Sequence, residues 1–240
     1  MSFVKGGNRL KHWVQKAAML LELPLGYAAD HPYTGLKHRA HEATLDFIER
    51  QMPDAIAFDT PHELLLWAIG QIPAEGLVAE FGVSEGGSLR VLAERLAPRV
   101  VHGFDSFEGL PEAWAGNQMA AGTFDRGGRL PRVPDNARLH PGWFDRTLGP
   151  FLEAQSGPAA FLHLDADLYS STHAVLRALE GRIVPGTLLL FDEYFNYPHW
   201  QHHEHRAFEE LRARVDLGFT YLAYSTQQVL VRAETTVSTT

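Results

Sequence analysis

The sequence predicts an α/β fold: a doubly wound, mostly parallel sheet that ends in an antiparallel hairpin and follows a helical extension. Two observations carry this. Short apolar runs such as 161–164 and 188–191 read as strands buried on both faces, and they alternate with segments of helical period, as a parallel sheet covered on both sides requires. The last two runs, 219–225 and 228–232, are separated only by Thr226 and Gln227. So short a link permits only antiparallel pairing, because parallel neighbours need a crossover of about a dozen residues.

Residues 1–70 are helical in pattern and form the extension. Residues 11–22 give an amphipathic helix, since Lys16 and Glu22 confine the apolar stretch too tightly for a secretory signal. Residues 38–52 and 61–72 are the clearest later helices, set off by Pro and Gly breaks. The core, 71–234, then alternates: strand 77–83, helix 88–96, strand 100–105, a Gly- and Pro-rich stretch 108–136 without period, and a short strand 137–140. Helix 144–154, strand 159–165, helix 171–180, strand 187–191, helix 201–215 and the closing pair follow. An irregular stretch as long as 108–136 inside a compact domain is functional or disordered. The tail 235–240 is polar and expected to fray.

Of the 240 residues, 45% are hydrophobic, enough for one substantial core. There is no cysteine, which removes disulfides and thiolate chemistry and fits a reducing cytoplasm. A net charge of −8 without clustered Lys and Arg argues against a nucleic-acid partner. No run approaches the roughly 20 apolar residues of a membrane span. A soluble, cytoplasmic protein acting on a small molecule is expected.

Glu80-Phe81-Gly82-Val83-Ser84-Glu85-Gly86-Gly87-Ser88 lies between the first core strand and its helix, where glycines let a ligand approach the backbone and a helix N-terminus offers free N–H groups. It is not G-x-G-x-x-G, and it brings Glu80 and Glu85 to where a dinucleotide would set its pyrophosphate. Carboxylates oppose that anion and suit a cofactor with cationic groups. S-adenosylmethionine, with a sulfonium and an ammonium, meets this, and its carboxylate can take the helix N–H groups. Glu80, Gly82, Val83, Ser84, Gly86 and Ser88 are the candidate contacts. Asp105, ending the second strand with Ser106 beside it, matches an acid that accepts hydrogen bonds from ribose hydroxyls. Trp143 and Phe144 offer walls for an adenine ring. The competing reading makes the glycines a tight turn, Asp105 a cap and the aromatics core packing.

Asp165-Ala166-Asp167 and Asp192-Glu193 stand where two apolar runs give out. Ligands of open α/β sheets bind outside the carboxyl ends of the strands, and carboxylates gathered there repel one another unless a cation sits between them. Hard oxygen donors without cysteine favour Mg²⁺, or another hard divalent ion such as Mn²⁺ or Ca²⁺. Asp165, Asp192 and Glu193 are the candidate ligands, with Asp165 catalytic through the ion and also a candidate cofactor contact. Asp167, two residues further in a turning segment, is the candidate base. An alcohol is a poor nucleophile at neutral pH, and a coordinated one ionises more readily and is held in line. Helix capping by Asp167 near Ser170 and by Asp192 competes, but it explains one acid per strand end and not two. His199 and His203 are spaced to share a helical face, but with His202 and His205 on other faces and no H-E-x-x-H the group reads as a solvated helix start or a wall facing substrate. A part for His203 or Glu204 in holding the acceptor stays open.

The linked motifs are Glu80-Phe81-Gly82-Val83 with Gly86-Gly87-Ser88, Gly103-Phe104-Asp105-Ser106-Phe107-Glu108-Gly109-Leu110-Pro111, Gly142-Trp143-Phe144 with Thr147-Leu148, His163-Leu164-Asp165-Ala166-Asp167-Leu168-Tyr169, and Asp192-Glu193-Tyr194. Together, over residues 58–232, they make the chain resemble the macrocin O-methyltransferase (TylF-like) family of class I S-adenosylmethionine-dependent methyltransferases. The resemblance implies a Rossmann-like fold and Mg²⁺-dependent methylation of a hydroxyl, often on a sugar of a natural product or on a saccharide. By that likeness Asp165, Asp192 and Glu193 match metal ligands, Asp167 the base, and Glu80, Gly82 and Asp105 cofactor contacts. Family members often carry Asp-Asp where this chain has Asp192-Glu193, which leaves direct coordination by Glu193 open. The first 57 residues match weakly; such segments form a lid over the acceptor, so acceptor identity transfers least. Self-association to a homo-oligomer follows by analogy only. Two other readings are a nicotinamide-dependent oxidoreductase, opposed by Glu80 and the missing G-x-G-x-x-G, and a non-catalytic cofactor binder, opposed by the four retained acids.

Overall fold

Residues 31–115, 117 and 119–236 are described by the computed structural model. The helix expected over 11–22 and the last four residues lie outside them. Helix α1 (Pro32–Gln51) starts at a proline, pre-set for a first helical turn, and its N-cap His31 accepts the N–H of Tyr33. A two-residue strand β1 (Ile56–Ala57) follows, then α2 (Pro61–Ile69). Thr60 and Glu63 close a reciprocal capping box at the start of α2.

The alternation expected from the sequence is present. In order come β2 (Leu77–Phe81), α3 (Gly87–Leu96), β3 (Val101–Asp105), β4 (Ala137–Pro141), α4 (Phe144–Ala154), β5 (Ala159–Leu164) and α5 (Tyr169–Leu179). After these come β6 (Leu188–Phe191), α6 (Glu204–Arg214), β7 (Leu217–Tyr224) and β8 (Val229–Thr235). The eight strands form one sheet in the order β1-β7-β8-β6-β5-β2-β3-β4. All neighbours run parallel except the pairs made by β8. This is the mixed α/β sheet with antiparallel pairing at its end that the sequence predicts.

Strand alternation sends side chains to two cores. Phe81, Phe104, Leu162, Leu164, Leu189 and Phe191 pack on one face beneath α4, α5 and α6, while Val78, Val101, Phe161, Leu188 and Leu190 pack on the other beneath α2 and α3. Ala40, Phe47 and Ile48 lay α1 on the first of these.

Several details depart from the sequence reading, among them the start of α1 at Pro32 rather than 38. The stretch read as wholly helical contributes β1, whose Ile56 and Ala57 pair with Ala223 and Tyr224 and extend the sheet edge. Two residues held by pairing alone leave no periodicity to read. The helix expected at 201–215 is split into a 3-10 turn (Trp200–His202) and α6, with His203 between them outside helical geometry. Helix α2 stops at Ile69 rather than 72. Thr235, assigned to the tail, is the last residue of β8 and pairs with Leu217. Among the described residues no helix is long and apolar enough to cross a membrane.

Strand β2 lies between β3 and β5, so successive crossovers leave in opposite directions from this point. A crevice opens outside the carboxyl ends of strands at such a reversal.

Candidate active site

Backbone bonds carry the ladder past the strand ends and fix the rim of the crevice. Gly82 N–H donates to Phe104 O, Asp165 N–H to Phe81 O, Asp192 N–H to Leu164 O and Gly142 N–H to Asp105 O, each at 2.9 Å. Gly82 has φ +97°, and a Cβ there would stand 1.6 Å from the carbonyl oxygen of Asp165. The glycine is therefore required by close approach of the β5 rim, and the two loops touch directly.

The cavity at this rim is lined by Gly82 and Ser84 from the first loop, Asp105 and Ser106 from the second, Trp143 and Phe144 at the start of α4, and Asp165, Asp167 and Glu193. Leu110, Pro111 and Phe124 supply its outer wall from the irregular stretch. That stretch is folded back on itself: Leu110 N–H donates to Thr123 O and Gly122 N–H to Leu110 O, both at 2.9 Å. Gly109 permits this turn, since a Cβ there would lie 2.4 Å from Thr123 O. Buried Trp114 packs edge-on against Tyr197 and His203, and His203 Nε2 bonds Ala115 O at 3.1 Å, tying the excursion to the segment before α6.

Of the residues expected at the cofactor, Gly82, Ser84, Asp105, Ser106, Trp143 and Asp165 line the cavity. Val83, Gly86 and Ser88 do not line it; Gly86 N–H donates to Val83 O at 2.7 Å within the loop. Asp105 accepts the N–H groups of Val83 (2.8 Å), Ser84 (2.7 Å) and Phe107 (2.6 Å), so it shapes the loop; its remaining lone pairs can still accept from a hydroxyl. Glu80 does not reach the cavity. It is fully buried, with Oε2 2.9 Å from His163 Nδ1, its partner in register on β5. Glu85 is exposed and pairs with Arg126 at 3.0 Å. The acids that line the cavity are instead Asp105, Asp165, Asp167 and Glu193.

The acids fall in two overlapping groups that share Asp165, and the expected ligand trio is divided between them, Asp192 in one and Glu193 in the other. One ligand atom each from Asp165, Asp167 and Glu193 lies within 4.8 Å of the others, and the same holds for His163, Asp165 and Asp192. Burial and the charge of Asp192 push Asp165 well above the usual carboxylate range. Burial, then Asp192 and Asp165, does the same to Glu193. Asp167 is raised to about 7 by burial and by Asp192 and Asp105. Buried Glu193 Oε2 has no hydrogen-bond partner. A cluster of oxygen donors that suppress one another's ionisation, with an orphaned oxygen among them, fits a hard divalent cation.

Capping does not account for these acids. The N-cap of α5 is Leu168, with no side-chain cap, and Asp192 Oδ1 accepts instead from Gln228 Nε2. Asp167 holds φ +60°, a left-handed conformation that aspartate tolerates and that clusters at functional sites.

Two residues outside the predicted set organise this rim. Glu204, fully buried at the start of α6, accepts Glu193 N–H (3.0 Å) and Thr172 Oγ1 (3.1 Å). Burial lifts it to about 8, against the backbone hydrogen bond from Glu193. His163 joins Glu80 to the acid group, and the nearby acids Asp192, Glu80 and Asp165 raise its pKa against burial. The histidines at 199–205 do not share a helical face: His199 precedes the 3-10 turn with φ +68° and His203 follows it. His199, His202 and His203 line a second cavity with Glu112, Leu168 and Tyr169.

Residues 79–194 match a family model described as a methyltransferase domain. The chain is 31% identical over 158 residues to the 8-demethyl-8-(2,3-dimethoxy-alpha-L-rhamnosyl)-tetracenomycin-C 4'-O-methyltransferase of Streptomyces olivaceus, covering 54% of this chain and 58% of that protein. It is 29% identical over 165 residues to the demethyldecarbamoylnovobiocin O-methyltransferase of Streptomyces niveus, covering 60% of each. The chain thus spans less than two thirds of the length of these curated relatives. Similar folds are those of CalS11, a calicheamicin methyltransferase (TM-score 0.57, 21% identity, 96% of this chain and 95% of that one), and the O-methyltransferase NovP (TM-score 0.54, 24% identity, 72% and 79%).

Proposed function

We propose, from the premise that residues 79–194 match a methyltransferase domain, that this chain is an S-adenosylmethionine- and Mg²⁺-dependent O-methyltransferase of the macrocin type acting on a sugar hydroxyl of a natural product or saccharide. The observation that carries the reading is the meeting of Asp165, Asp167 and Glu193 in the cavity that Gly82 and Asp105 also line. The tetracenomycin relative's name, that of a methyltransferase of a rhamnosyl-bearing compound, supports the acceptor class.

The lining suits the cofactor: acids for a sulfonium, Trp143, Phe144 and Phe124 for an adenine face, and Asp105 for ribose hydroxyls. S-adenosylmethionine would supply the electrophilic methyl group, and Mg²⁺ on Asp165, Asp192 and Glu193 would lower the pKa of the acceptor hydroxyl. Asp167, lining the cavity beside Asp165 and Glu193, takes the hydroxyl proton on a carboxylate oxygen. Glu204 keeps the backbone of Glu193 in place, and the folded-back stretch with Leu110, Pro111 and Phe124 excludes water from the reacting atoms.

The test is mass spectrometry of products from S-adenosylmethionine and a panel of rhamnosides and other glycosides, with Mg²⁺ and after chelation. A gain of one methyl group on the sugar, lost with chelator and restored by Mg²⁺, is expected. Full turnover in chelated protein removes the metal from the reading, and a thermal shift with NAD but none with S-adenosylhomocysteine removes the cofactor.

A further inference from the structure

We infer that the metal site includes a nitrogen donor: Nε2 of His163 binds the same divalent ion as Asp165 and Asp192, so the site accepts first-row transition ions in preference to Mg²⁺. The inference deepens the reading of the acids as a metal site and rests on it.

His163 stands on β5, 2% exposed, beneath the carboxylate rim. Its Nδ1 lies 2.9 Å from Glu80 Oε2. A carboxylate only accepts, so Nδ1 carries a hydrogen and the orientation of the ring is settled from below. The other nitrogen, Nε2, is buried without a hydrogen-bond partner. Its nearest acidic oxygen is Asp192 Oδ1 at 3.6 Å, beyond hydrogen-bonding distance. Yet Nε2 and one oxygen each of Asp165 and Asp192 all lie within 4.8 Å of one another. Ligands about 2.1 Å from one ion stand no more than about 4.2 Å apart, so small side-chain movements close the set.

A histidine that donates one ring N–H to a carboxylate and gives the other nitrogen to a metal is a recurrent arrangement, and the carboxylate fixes the tautomer and raises the basicity of the ligand. Glu80 fills that place. It is fully buried and spends one oxygen on the imidazole, which explains an acid on the inner face of a central strand. Replacing one oxygen donor by imidazole tilts a hard site towards Mn²⁺, Fe²⁺ and Co²⁺. The groups facing the ring are Glu80, Asp165 and Asp192, all acidic, and the rival occupant of Nε2 is a proton.

The test is calorimetry of the full chain with Mg²⁺, Mn²⁺ and Co²⁺, together with electron spin echo modulation of the Mn²⁺-loaded protein. Nitrogen modulation is expected in the wild type and absent in His163→Gln, which separates this ring from the other histidines. Co²⁺ should bind at least about tenfold more tightly than Mg²⁺ in the wild type, and that preference should vanish in His163→Gln. If that variant does not fold, Glu80→Gln decides: it keeps the nitrogen modulation and loses about 10–100-fold in Co²⁺ affinity, with a smaller loss for Mg²⁺. A wild-type spectrum without nitrogen coupling, or equal losses for all ions in Glu80→Gln, means His163 is only a buried charge partner and overturns the inference. No binding of any ion overturns the carboxylate reading along with it.

Discussion

Gly82 is the point where cofactor loop and acid rim meet. Because a Cβ would stand 1.6 Å from the Asp165 carbonyl and φ is +97°, Gly82→Ala cannot be relieved by a side-chain rotation. It should cost about 4 kcal/mol or more and lower Tm by roughly 10 °C, read by thermal unfolding; a shift under about 2 °C would mean the loops are not locked together. Asp165→Ala should abolish methyl transfer while affinity for S-adenosylhomocysteine stays within a few-fold, since Gly82, Ser84 and Asp105 still line the cavity; a large loss of that affinity in calorimetry would assign Asp165 to the cofactor instead. At this scale the sequence marked which strand ends carry acids but not where each side chain goes. Glu80 was legible as an acid near the loop, yet its face and its partner depend on His163, brought beside it by strand register from 83 residues away. Asp105 was legible as the acid ending a strand, and its bonds to three backbone N–H groups follow from loop geometry that no spacing encodes.

Among the elements, the long stretch after β3 was legible only as irregular. Its cover over the cavity depends on Trp114, one buried aromatic held by Tyr197 and His203 from distant sequence. Trp114→Ala should loosen the chain on either side of it, so limited proteolysis next to residue 114 is expected to be at least about tenfold faster while the strands of the sheet stay protected. Unchanged cleavage would show that the backbone bonds around Leu110 suffice. Strand β1 and the break at His203 escaped prediction for a related reason. Each is set by tertiary pairing, β1 by β7 and His203 by Ala115, and neither carries a local period. The core strands and the hairpin were read correctly because apolar runs and a short link are local signals.

Over the whole molecule the buried acids tie stability to pH. Asp167 and Glu204 are raised to about 7 and about 8, and Asp165 and Glu193 are raised as well. Burial lowers His102, His140, His203 and His205, which opposes the acids below about pH 6.5. From about pH 6.5 to pH 8 the acids leave the folded chain holding more protons than the unfolded one, and unfolding free energy falls as pH rises. Chelated protein should melt lower at pH 8 than at pH 6.5. Mg²⁺ at about 100 times its Kd should restore roughly 5–10 °C at pH 8, and Asp167→Asn should flatten the chelated profile between these two pH values. A melting temperature independent of pH over this range would contradict the mutual repulsion of the cluster.

His203 and Glu204 are consecutive, yet one bonds the Ala115 carbonyl above the crevice and the other holds the Glu193 amide at its floor. A single peptide link thus belongs to both the door and the anvil. A displacement of the covering excursion would therefore be felt by the same bit of chain that sets the Glu193 amide.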